Sequence, residues 1–144
     1  MPLFWFTAVT AFALSFAAKL LADGKLQKPV ALIGDSVTLR LTHNPGIAFG
    51  VHLPEVWQEI FIGAALLLVC VFAWQSAVTR WSQIGFGLIV GGAIGNVVDR
   101  IPDGLVTDFV SVGRFPVFNV ADSCITIGVL LLLAEVFGIG RSRT

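Results

Sequence analysis

The sequence predicts an all-α membrane protein of one domain, 1–144, with four transmembrane helices and a small β-element in its first long loop. Three observations predict it. Hydrophobic residues make up 56% of the 144-residue chain and charged residues only 12%, about half the charged share of an average soluble domain. The mean hydropathy is +0.90. Four apolar stretches, 2–22, 60–78, 84–100 and 119–139, reach or approach the roughly 20 helical residues that a bilayer core requires.

The first stretch, "MPLFWFTAVTAFALSFAA", has no basic segment before its apolar run and is long enough to span. It is therefore expected to be a retained helix rather than a cleaved signal. The loop that follows, 23–59, is too long to be structureless in a compact protein. Within it "VALIG" (30–34), "VTLRLTH" (37–43) and "IAFGVHL" (47–53) predict short strands, separated by the turn chemistry of "GDS" and "NPG". A β-element lying on the membrane surface is expected. "LPEVWQEI" then opens the second helix, with Pro54 near its first position and Trp57 at interface depth.

A short polar turn at "RWSQ" (80–83) makes the second and third helices antiparallel. The third carries Gly87, Gly91 and Gly95 at four-residue spacing, with Gly85 and Gly92 beside them. Small residues so spaced let helices approach closely in lipid. One turn further the stripe reaches Asp99, with Asn96 and Arg100 alongside. The fourth helix begins at the same membrane edge. Four spans place both termini on one side and the loops 23–59 and 101–117 on the other. Arg80, Arg141 and Arg143 on the terminal side face Lys25, Lys28, Arg40 and Arg114 on the loop side, so basic residues alone leave the orientation open.

The formal net charge is zero, and no nucleic-acid partner is expected. Cys70 and Cys124 lie far apart in apolar segments and form neither a CxxC pair nor a disulfide framework. They read as packing residues.

The polar residues gather on the loop side: Asn44, Asn96, Asp99, Arg100, Asp108, Asn119 and Asp122. Asp99 beside Arg100 suggests a structural ion pair. Asn119 and Asp122 are spaced as a helix N-cap and its third residue. Asp108, in the apolar "GLVTDFVSV", and Asp122, one turn into a helix meant for lipid, remain without an obvious local partner. Carboxylates at such depth mark function. Two brought close together would share a proton, one activating water and the other protonating a carbonyl, as in aspartic proteases. Nothing local in the sequence forces residues 108 and 122 together.

Four segments, "NPGIAFG" (44–50), "GGAIGNVVDR" (91–100), "VTDFV" (106–110) and "FNVADS" (118–123), resemble the signature segments of the lipoprotein signal peptidase, or signal peptidase II, family. They stand in that family's order on its four-span plan, and the resemblance covers nearly the whole chain. It implies an intramembrane aspartic endopeptidase that needs no metal or other cofactor. Such an enzyme removes the signal peptide of bacterial prolipoproteins just before the lipid-modified cysteine. It implies Asp108 and Asp122 as the catalytic dyad; Asn44, Gly46, Asn96, Arg100 and Asn119 as residues that shape the site and bind substrate; and Asp99 and Lys19 as structural residues. It also implies the bacterial inner membrane, both termini in the cytoplasm, the dyad near the outer face, a prolipoprotein and membrane lipid as partners, and a monomer. One departure stands out: the family usually has an Asp four residues before Lys19, and Ser15 occupies that place. The segment between Asp108 and Asp122 is also short, which would trim the outer flank of the site.

Other readings stay open on the sequence. Phe49, Phe109 and Phe115 either support the β-element or are ordinary interfacial aromatics. Ser15 and Lys19 have the spacing of a Ser–Lys dyad, and "GDSVTL" (34–39) resembles an esterase turn. His43 and His52 lack a third metal ligand. A proton-coupled transport protein would use Asp108 and Asp122 as relay groups, although no internal repeat supports it.

Overall fold

The structure, a computed structural model, describes residues 1–46 and 55–138, with the side chains of 55–59 left out of the description. Four helices and three strands follow in the order α1 (Pro2–Lys25), β1 (Val30–Ile33), β2 (Val37–Asn44), α2 (Glu55–Ser76), α3 (Arg80–Arg100), β3 (Val106–Val112) and α4 (Val120–Val136). Two of them, α1 and α3, are long and apolar enough to cross a membrane. The expected strand at 47–53, together with Phe49, His52 and Pro54, lies outside the described residues, as do the Trp57 side chain and Arg141 and Arg143.

The bundle is built around α3, which packs along both α1 and α4. Glycine makes this possible. A Cβ on Gly91 would collide with the Ala8 carbonyl of α1, and one on Gly92 would sit 2.6 Å from the Ala121 carbonyl of α4. The approach is mutual at Gly128 of α4, where a Cβ would meet the Gly85 carbonyl at 2.6 Å. The predicted stripe thus has two sides: Gly87, Gly91 and Gly95 face α1, while Gly85 and Gly92 face α4.

Ala8, Ala11, Ala73 and Ala121 are buried, whereas Trp5, Phe6, Leu67, Trp74 and Leu130 are exposed. Among the described residues no large side chain is fully buried. A soluble protein keeps its large apolar side chains inside; this arrangement suits a solvent that is itself apolar, with backbone proximity holding the helices together.

The turn between α2 and α3 falls earlier than "RWSQ" predicts. Thr79 is the N-cap, its side chain accepting the Ser82 N–H while the Ser82 hydroxyl accepts the Thr79 N–H. The polar run 80–83 is therefore the first turn of α3, where free backbone N–H groups seek polar partners.

The sheet draws on both loops, in the order β1-β2-β3, antiparallel throughout. The sequence placed no strand in the second loop; β3 is a finding of the structure. Asn44 pairs with Val106 and Thr42 with Asp108, which sets Asn44 diagonal to Asp108 across the ladder. After β3 the chain reverses through Gly113, at φ 52°. Phe118 then donates its N–H to the Val110 carbonyl at 3.0 Å and accepts the N–H groups of Phe109 and Val110. This small bridge brings the start of α4 back to β3, and it is the local device that the sequence did not reveal.

Candidate active site

Asp108 is 3% exposed on β3. Its Oδ2 accepts the Asn44 side-chain amide at 3.0 Å, and its Oδ1 accepts that of Asn119 at 2.8 Å. Asp122 Oδ1 accepts the Asn96 amide at 2.9 Å, and its Oδ2 accepts the Asn119 backbone N–H at 3.2 Å. Asn119 connects the two halves: its amide nitrogen donates to Asp108 and, at 3.1 Å, to Asn96 Oδ1, while its oxygen accepts the Asp122 N–H at 2.9 Å. The predicted N-cap and the predicted site residue are one and the same side chain.

Each of the three asparagines uses both ends of its amide. Asn44 Oδ1 accepts the Gly46 N–H at 2.8 Å, and the ends of Asn96 and Asn119 are taken as described. Amide orientation is therefore dictated by the network. Neutral amides hold a carboxylate in place without a full positive charge, so a proton can still reside there. Among the described contacts the two carboxyls make no hydrogen bond to each other; the asparagines bring them to the same cleft.

Arg100 ties the first long loop to the bundle. Its Nη2 donates to the Gly46 carbonyl at 2.6 Å and its Nη1 to the Asn96 carbonyl at 3.4 Å. It does not pair with Asp99 as the sequence suggested. Adjacent residues on a helix point about 100° apart and cannot face one another. Asp99 turns toward α1 instead, where its Oδ1 lies 3.1 Å from Lys19 Nζ.

Burial pushes the Asp108 carboxyl up from its usual value to about 6; the Asn44 and Asn119 amides and the Arg100 charge oppose the rise, and the nearby Asp122 charge adds to it. Both carboxylates line a cleft of about 1030 Å³ bounded by α2, α3 and α4, with Phe61, Leu66 and Val69 on α2 and Ile125 and Val129 on α4 as its apolar walls. The cleft exists because α2 packs against α3 and stands away from α4. Phe115 and Phe118, ring centroids 5.8 Å apart and edge to face, stand at its rim.

The serine readings find no support. Ser15 Oγ donates to the Ala11 carbonyl at 2.7 Å, and the Lys19 ammonium is held by two carboxylates, Asp23 and Asp99. "GDS" is the β1–β2 hairpin turn, with Gly34 at φ 48°, and not a strand-to-helix elbow. The sequence reading does not include Asp23 or the Thr107 amide, which donates to Asp99 Oδ2 at 2.7 Å. Asp23 stands four residues after Lys19, a helical spacing that could have flagged it.

The family model described as signal peptidase (SPase) II matches residues 7–138. The lipoprotein signal peptidase of Rhodococcus jostii (strain RHA1) is 41% identical over 129 residues, a match covering 84% of this chain and 65% of that protein. The lipoprotein signal peptidase of Mycobacterium avium (strain 104) is 39% identical over 140 residues, covering 91% of this chain and 77% of its own. The chain thus spans only about two thirds of the length of the first of these relatives. A solved bacterial membrane enzyme, 26% identical, superimposes with a TM-score of 0.82 over 96% of this chain and 91% of its own. A family match that runs from the first turns of α1 to the residues just after α4 takes in both aspartates and every asparagine that holds them, and on that extent the chain belongs to the signal peptidase II family.

Proposed function

We propose that this chain is an intramembrane aspartic endopeptidase that removes the signal peptide from diacylglyceryl-modified bacterial prolipoproteins, cutting before the lipidated cysteine. The observation that carries this reading is the pair Asp108 and Asp122, held by asparagines at the polar end of a wide apolar cleft. A signal sequence is itself an apolar helix, and the walls on α2 and α4 suit it. Its scissile bond must unwind to react, and free backbone groups in lipid need partners; amides and a guanidinium at the polar end supply them.

In the reaction one carboxyl of the pair is ionised and the other protonated, and the two titrate as a unit. The ionised member takes a proton from water as the water oxygen attacks the scissile carbonyl carbon. The protonated member gives its proton to the carbonyl oxygen, forming a diol. Collapse of the diol breaks the C–N bond, with a proton delivered to the departing nitrogen.

The same proposal covers the placement of the molecule. α1 and α3 qualify as spans by length and composition. The exposed apolar side chains of α2 and α4, among them Phe61, Leu67, Leu130 and Leu133, support two more, making a single four-span domain in the bacterial inner membrane. Both termini then face the cytoplasm, with the dyad near the outer surface.

The test is a gel-shift cleavage assay in detergent with a diacylglyceryl-modified prolipoprotein and its unlipidated precursor. Cleavage of the lipidated form alone, lost in Asp122→Asn, is expected. A folded wild-type protein that cleaves neither form, or an active Asp122→Asn, would overturn the reading.

A further inference from the structure

Lys19 stands between two carboxylates, with its Nζ 3.1 Å from Asp99 Oδ1 and 3.1 Å from Asp23 Oδ2. The other oxygen of Asp99 accepts the backbone N–H of Thr107 at 2.7 Å. Asp99 and Thr107 are both buried, 8% and 4% exposed, and Thr107 immediately precedes Asp108. A continuous chain of polar contacts therefore runs from the end of α1, through α3, to the backbone that carries one of the two site aspartates.

Asp23 occupies a costly position. It lies in the last turn of α1, where the negative end of the helix dipole disfavours a carboxylate. Its Oδ1 is buried and has no hydrogen-bond partner among the described residues. What offsets the charge cost is Lys19, whose Nζ lies beside the other oxygen, Oδ2. A lysine is a point charge on a flexible four-carbon stem, so one carboxylate leaves its direction loosely defined. A second carboxylate, one helical turn away on α1 itself, pulls the ammonium from another side and limits it to a single orientation. Asp99 then has a stationary partner, and so does the Thr107 amide.

We infer that Asp23 is a positioning residue for the dyad, acting through Lys19 and Asp99 to hold the Thr107 backbone and thereby Asp108. The inference rests on the catalytic reading of Asp108 given above. Asp23 lines no part of the apolar cleft, so its effect falls on the chemical step and not on substrate binding.

The experiment compares wild type, Asp23→Asn, Asp23→Glu and the exposed hairpin-turn variant Asp35→Asn on the lipidated prolipoprotein, with kcat taken per folded enzyme. Asp23→Asn is expected to lower kcat about two- to fivefold, the range open to a partly exposed ion pair, with KM unchanged. Asp23→Glu restores most of the rate, and Asp35→Asn matches wild type. Unchanged kcat in Asp23→Asn, an equal loss in Asp35→Asn, or a change confined to KM would each overturn the inference. Inactive wild type would instead overturn the proposed function itself.

Discussion

Two helices of this protein start with the same local device and use it differently. α3 opens on a capping box made by Thr79 and Ser82, and α4 on one made by Asn119 and Asp122. At α3 the groups close on themselves, and the leftover Thr79 hydroxyl donates to Glu135 Oε1 at 2.6 Å, tying the helix start to the end of α4. At α4 the cap residue reaches out to Asp108 and Asn96, and the third residue is a carboxylate that also lines the cleft. The first box terminates a helix. The second terminates a helix and, by doing so, holds a cleft carboxylate within a hydrogen bond's tolerance at the positive end of a dipole. Placement of the cleft carboxylate here is a capping interaction with one member made acidic.

The sharpest break of this comparison is to remove the acid and keep the cap. Asp122→Asn or Asp108→Asn is expected to lower kcat by about 10²- to 10⁴-fold, the range typical of a lost general acid or base, with little change in melting temperature. Cleavage assays on folded, purified variants check it.

Next come the two cap residues themselves. Thr79→Ala and Asn119→Ala each remove a side-chain cap and should each cost about 1 kcal/mol of stability. Only Asn119→Ala should also lower activity per folded enzyme, by about tenfold or more, because it strips hydrogen bonds from both Asp108 and Asn96. Equal activity in the two variants would erase the distinction between the boxes.

The smallest effect is on pH. The Asp108 carboxyl is raised to about 6 in the folded protein against an ordinary value of about 4, so folding disfavours its ionisation. Its contribution to stability is fully present below about pH 4 and is lost as pH rises through about 6. Relative to Asp108→Asn, wild type should melt at progressively lower temperature between those values. Parallel melting curves would show that the carboxyl is not held in a desolvated place.

Much of this was legible in the chain. Asn119 as a cap, the glycine stripe of α3 and the gathering of polar residues at one edge follow from spacing, because a helix repeats every 3.6 residues and its neighbours are known in advance. β3 is not legible because "VTDFVSV" alternates on a strand that gains its meaning only from a partner 62 to 75 residues earlier, in β2. Asp99 was given the wrong partner for a related reason: sequence adjacency suggested Arg100, while helical geometry points neighbours apart and leaves Asp99 to Lys19 on another helix.

By itself, then, the sequence determined the helices, the Asn119 cap of α4, the solvent the helices suit and the family the motifs resemble, since all of these depend on local pattern or on composition. Only the tertiary structure decided that Asp108 and Asp122 line one cleft. That arrangement needs the β2–β3 ladder, the Val110–Phe118 bridge and the close α3–α4 packing at Gly92 to hold at once. Each of these is a contact between segments whose mutual distance no local periodicity encodes.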